Sequence, residues 1–191
     1  MADFNTAYKK TSIAEGGYAN NPKDSGGETY KGIARKIEAN WKGWPIIDAI
    51  KRRVGTNASA IDREAEKDAN LQRLVLSFFE ENYWDSLNLG LINQQRMVNE
   101  LFDTGVNMGI GRAGLFFQRV LNVSTKTQLK LDGAIGPKTI GVFNSLNSSD
   151  KYMVWKLFNC LQGEKYISIC EYNPSQEMFL RSWASRVFET S

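Results

Sequence analysis

The 191-residue chain carries 24 Lys and Arg against 21 Asp and Glu, and it contains no histidine. That absence removes Ser-His-Asp and Cys-His catalysis, histidine-ligated zinc and histidine general bases in one step, leaving carboxylates as the acid-base groups. A net charge of +3 with no basic stripe argues against a nucleic-acid partner, and 42% apolar residues describe a chain able to bury one core, or two small cores sharing an interface.

Phe4, Ala7, Tyr8, Thr11 and Ala14 recur at steps of three and four, which predicts a helix from Phe4 to Ala14 with Asp3 as its N-cap. Glu15 then falls on the last turn. Gly16 and Gly17 can take the positive φ that ends a helix, and Asn21-Pro22 and Ser25-Gly26-Gly27 mark tight turns around a small hairpin between Tyr18 and Thr29. Asp24 lies nine residues beyond Glu15, in a polar loop.

Two carboxylates in unlike surroundings are what glycosidic cleavage requires, one protonated for the leaving oxygen and one ionised near the sugar or the attacking water. The partial negative charge of a helix C-terminus disfavours ionisation of Glu15, whereas Asp24 in a Gly-rich turn stays ionised. Thr29 is expected to cap a helix beginning near Tyr30, with a hydroxyl also able to position water. Tyr18 and Tyr30 are candidates for stacking on sugar rings, against the alternative that they are core or wall residues.

Further along, Tyr30, Ile33, Ala34 and Ile37 predict a second short helix, and Pro45 opens a third through Ile46, Ile47 and Ile50. Asp62 to Tyr83 reads as one long central helix, followed by Trp84 as a core or cleft-wall residue. Asn93 is expected to cap a helix through Val106, and Gly109-Ile110-Gly111 breaks the chain before it resumes from Arg112 to Leu121. Asp103 and Asn107 are four apart on one face, so they either contact substrate or are polar residues bonded to each other or to backbone. Asp132-Gly133 and Gly136 make turns, and Pro137 starts a helix carrying Ile140, Val142, Phe143 and Leu146. Asp150 to Tyr172 and Pro174 to Phe188 complete the scaffold as two helices. Cys160 and Cys170 lie outside any metal or redox spacing and are expected as reduced core residues.

The series Glu15-Gly16-Gly17-Tyr18, Pro22, Asp24, Gly26-Gly27, Thr29 and Gly32-Ile33 resembles the opening pattern of glycoside hydrolase family 108. Phage-type lysozymes have a similar Glu, Asp and Thr series, with one more residue before the Thr. The runs Phe102 to Gly109 and Leu131 to Thr139 resemble the predicted peptidoglycan-binding region that follows the catalytic segment in the same family.

The resemblance implies a mainly α, lysozyme-like fold with at most a small hairpin near residues 18–29. It divides the chain into a catalytic segment, 1–92, and a helical peptidoglycan-binding region, 93–191, packed as one unit. It further implies an N-acetylmuramidase that cuts the β-1,4 bond of peptidoglycan, with Glu15 as acid, Asp24 and Thr29 as its catalytic partners, and Tyr18, Tyr30, Asp103 and Asn107 as substrate contacts. No metal or cofactor is implied, and the partner is the glycan strand, met by a monomer. A non-catalytic wall-binding or secretion-associated module and a lytic transglycosylase are the competing readings. The N-terminus has neither a basic region nor an apolar run, and no later run approaches a membrane span. Synthesis in the cytoplasm, with access to the wall through a holin or a dedicated export machinery, is the resulting expectation.

Overall fold

The computed structural model describes residues 2–12, 16–20 and 27–188. Its elements are α1 (Phe4–Ser12), β1 (Tyr18–Asn20), β2 (Glu28–Tyr30), β3 (Ile33–Ala34), α2 (Trp44–Val54), α3 (Ala58–Lys67), α4 (Ala69–Phe79), α5 (Gln95–Met108), α6 (Ile110–Thr125), α7 (Pro137–Asn144), α8 (Ser148–Tyr172) and α9 (Leu180–Phe188). A π-helical turn, Glu80–Asp85, follows α4, and short 3-10 turns lie at Leu89–Leu91 and Pro174–Phe179. The fold is mainly α and lysozyme-like, with one small antiparallel sheet, as the sequence implied. The chain forms two compact units, one of Tyr8–Asn82 and one of Met1–Ala7 together with Tyr83–Ser191.

In the first of these, the predicted helix from Tyr30 to Ile37 is replaced by strands. Tyr30 pairs with Ile33 across Lys31 and Gly32, which have φ of 45° and 78°. Two consecutive residues at positive φ make the two-residue turn whose twist suits a hairpin, so turn chemistry overrides the helical spacing. Ile37 is accordingly 75% exposed instead of facing a core. Thr29 sits in β2, paired with Ala19, and not at a helix N-cap.

The long helix expected from Asp62 to Tyr83 is also divided. Asp68 leaves helical geometry at ψ 97° and its Oδ1 accepts the Leu71 N–H at 2.9 Å, starting α4 afresh. Asn57 caps α3 in the same way through Ala60. Ile61 and Ala65 of α3, Leu71, Val75 and Phe79 of α4, and Ile47 and Ile50 of α2 form this unit's core with Ile33.

In the other unit α5, α6 and α8 pack around Leu101, Phe102, Phe117, Phe143 and Phe158, all fully buried. Asp3 caps α1 as predicted, accepting the Thr6 N–H at 2.8 Å. Asn93 does not cap α5. Its backbone N–H and side chain bond instead to Asn144. Both cysteines are free, but only Cys170 is buried; Cys160 is exposed, contrary to its expected place in the core.

The Asp132-Gly133 turn docks on α6 through one side chain. Gln118 donates Nε2 to Asp132 Oδ1 and to the Ala134 carbonyl, both at 2.9 Å, and its Oε1 accepts the Gly133 N–H at 2.9 Å. The Gln118 hydrogen bond, aided by the Ala134 N–H, holds the Asp132 carboxyl below its ordinary value. Backbone meets backbone here: a Cβ on Gly114 would lie 1.8 Å from the Gly133 carbonyl oxygen. Gly114→Ala is therefore expected to destabilise the protein by about 1–3 kcal/mol through overpacking. A lowered urea midpoint checks this, and an unchanged midpoint would contradict so close an approach.

Candidate active site

Glu15 and Asp24 lie outside the described residues, so the site is built from what holds the chain on either side of them. On the near side, Gly17 and Tyr18 dock against α3. The Tyr18 N–H donates to Asp62 Oδ1 at 2.5 Å. A Cβ on residue 17 would stand 2.4 Å from that same oxygen, so the second glycine of the motif is required by the carboxylate that receives its neighbour. Asp62 thus fixes the chain three residues after Glu15.

The sheet sets the other side. Asn20 pairs with Glu28, so residues 21–27 connect β1 to β2 and carry Asp24. Thr29 is half-buried, and its hydroxyl donates to the Gly27 carbonyl at 3.3 Å across the end of that connection. Gly27 itself has φ 68°.

Beneath the sheet Glu28 gathers three partners. Its side chain is 9% exposed, with Oε1 2.6 Å from Lys51 Nζ and 2.7 Å from the Tyr18 hydroxyl, and Oε2 3.0 Å from Arg35. Asp48 takes a second bond from Arg35 at 2.9 Å. Burial would lower the Lys51 pKa, but the hydrogen bond and charge of Glu28 outweigh it and the value is raised. Burial, reinforced by Glu28, likewise raises Tyr18. Glu28 is thus shared by two cations and a tyrosine hydroxyl.

Tyr18 and Tyr30 are register partners on this sheet. Tyr18 is 6% exposed, and Tyr30 is fully buried with its hydroxyl accepting from Gln72 at 2.9 Å. Burial pushes the Tyr30 hydroxyl up to about 12. Gln72 also takes Lys31 Nζ at 2.8 Å, so α4 holds the β2–β3 turn from below.

Asp103 and Asn107 belong to α5 in the other unit. Asn107 folds back on its own helix, donating Nδ2 to the Asp103 carbonyl at 2.8 Å. The Asp103 carboxylate accepts from Arg186 of α9 at 2.8 Å and lies 3.5 Å from Gln162 Nε2 of α8. These bonds of both residues run within the helices of this unit. Sequence reasoning had not singled out Asp62, Glu28 or Gln72. Glu28 lay inside the motif, between Gly27 and Thr29, whereas Asp62 and Gln72 are 44 and 42 residues from their partners.

Removing the shared carboxylate tests this arrangement. Glu28→Gln is expected to cost about 1–3 kcal/mol, between an exposed pair and a fully buried one. Because the folded Lys51 pKa is raised, its contribution is complete below the ordinary lysine value of 10.5 and is lost as pH rises through the raised value. The difference in stability between wild type and variant should thus be flat through neutral pH and shrink in strongly alkaline solution, measured by urea unfolding across pH.

Residues 8–109 match the family described as Glycosyl hydrolase 108, and residues 112–188 match one described as Predicted Peptidoglycan domain. Among solved structures, the chain is similar to SagA of Brucella abortus, with a TM-score of 0.60 at 20% identity over 96% of this chain and 88% of that one. At that identity the likeness concerns the fold. No curated protein matches the chain.

Proposed function

Since the chain belongs to the glycosyl hydrolase 108 family, we propose that it is an N-acetylmuramidase that hydrolyses the β-1,4 bond between N-acetylmuramic acid and N-acetylglucosamine in peptidoglycan. The observation that carries this reading is the family match over residues 8–109, which contains the whole series from Glu15 to Ile33. The match of residues 112–188 to a peptidoglycan domain supports the same substrate.

Glu15 acts as the general acid, protonating the glycosidic oxygen as the bond breaks. Asp24 is the ionised partner, orienting or deprotonating water or stabilising the positive charge that develops on the sugar. A carboxyl separation of about 5–5.5 Å would make the enzyme retaining and about 6.5–9.5 Å inverting. Thr29, tied to Gly27, borders the connection that carries Asp24 and positions it or its water. The Asp62 anchor supports the role of Glu15, since a general acid must be held within hydrogen-bond reach of one oxygen and its chain is fixed three residues away.

Peptidoglycan glycan strands are the partner, and no metal or cofactor enters the reaction. None of the helices among the described residues is long and apolar enough to cross a membrane. The proposed route to the wall is a holin or export machinery, acting on a monomer.

Digestion of purified peptidoglycan by wild type and by Glu15→Gln, with mass spectrometry of borohydride-reduced products, tests the assignment. Reducible muramic acid ends are expected from wild type and a loss of at least about a hundredfold in the variant. Anhydro-sugar ends would identify a lytic transglycosylase, and sacculus binding without products a binding module. Substantial activity in the variant would reassign the acid.

A further inference from the structure

Helix α8 runs for 25 residues, and its inner side is filled by Val154, Phe158, Gln162 and Tyr166. Its outward side carries Met153, Leu157, Cys160, Glu164, Ile167 and Glu171, each four or three residues from the last in strict alternation. All of these are exposed, Met153, Leu157 and Ile167 by 40%, 38% and 56%. Such alternation keeps side chains in one line along a helix that pairs with another, a regularity that a face turned to water does not need. At 1.5 Å per residue the row is about 27 Å long. From Cys160 to Glu171 it forms one bank of a groove of about 820 Å³, with Val187 of α9 on the other.

The charges along this face select its occupant. Arg96 of α5 lies over the Tyr152 and Trp155 rings and Lys156 lies over Tyr152, so the first half of the face is positive and its rings are already covered. The second half carries Glu164 and Glu171, which form no ion pair among the described residues. Lys165 lies off the row, beside a separate cavity with Tyr166 and Trp183. An anionic membrane surface would attract one half of the face and repel the other. A partner whose charges run in the opposite order suits both halves, and a second α8 lying antiparallel has that order.

The spacing agrees with the charges. Steps of 4, 3, 4, 3 and 4 read the same from either end. An antiparallel copy therefore meets the row in register, with Leu157 facing Ile167 of the second copy, Cys160 facing Glu164 and Met153 facing Glu171. Each pairing occurs twice about a two-fold axis level with Gln162, as a self-complementary contact requires. Lys156 then lies within one turn of Glu171 of the second copy. A parallel copy would instead set Glu164 against Glu164 and Glu171 against Glu171, like charge on like.

We propose that this row on α8 is a docking surface for a second copy of the chain, joined antiparallel as a two-fold dimer. The pairing does not depend on the muramidase reading. Single copies exported by the proposed route pair afterwards by mass action.

Analytical ultracentrifugation of the full-length, reduced protein is expected to show the 21.6 kDa species doubling in mass as concentration rises through about 1–100 μM. Ile167→Glu, at a position already open to solvent and so tolerated by the monomer, should weaken the dimer at least about tenfold. Orientation is read by cross-linking in a Cys160→Ser background. Leu157→Cys and Ile167→Cys proteins, mixed and oxidised with copper phenanthroline, should join to one another about tenfold more than either joins to itself. A single 21.6 kDa species up to about 1 mM would overturn the proposal. So would a dimer that Ile167→Glu leaves intact, preferential joining of Leu157→Cys to itself, or sedimentation with phosphatidylglycerol vesicles in place of self-association.

Discussion

The unit formed by Tyr8–Asn82 depends on one hydrogen bond from backbone to carboxylate. Asp62 receives the Tyr18 N–H in a space that exists because residue 17 has no Cβ. With that point fixed, Tyr18 extends into β1 and its hydroxyl reaches Glu28 on the neighbouring strand. Glu28 in turn draws in Lys51 of α2 and Arg35 beyond β3, while Gln72 of α4 secures Tyr30 and Lys31. A sheet this short has little stability of its own, and here side chains from three helices hold it in place. The described motif residues therefore chiefly brace the sheet, and most of that bracing is polar.

How much of this was legible follows from how local each determinant is. Asp3, Pro45 and Pro137 act on backbone within one turn of themselves, and the helices they start were readable. Lys31-Gly32 was misread because Tyr30, Ile33, Ala34 and Ile37 mimic helical spacing, and only Gly32 hinted at a turn. The break at Asp68 was missed although its capping geometry is local, since the apolar pattern runs on either side of it without interruption. Asp62 and Gln72 were out of reach, because their meaning lies in partners more than forty residues away. In the candidate site the motif that carries the proposed acid was visible in sequence, but the Asp62 and Gln72 contacts that hold Tyr18 and Tyr30 were not.

The C-terminal half follows the same economy with different residues. Its Asp-Gly-x-x-Gly-Pro-x-Thr element is explained by packing: Gln118 satisfies Asp132, Gly133 and Ala134 together, and Gly114 admits the Gly133 carbonyl. Thr139 is 4% exposed at the start of α7. A recurrent motif here marks how a turn is pinned to a helix.

The tight turn at Lys31-Gly32 has an effect beyond its own two residues. It locks β2 to β3, while Asp62 holds the start of β1, so each edge of the sheet has its own fixed point. A one-residue slip of either edge strand would have to break the Asp62 contact or the turn. The short sheet is thus tied down at its two edges, Asp62 at one and the Lys31-Gly32 turn at the other.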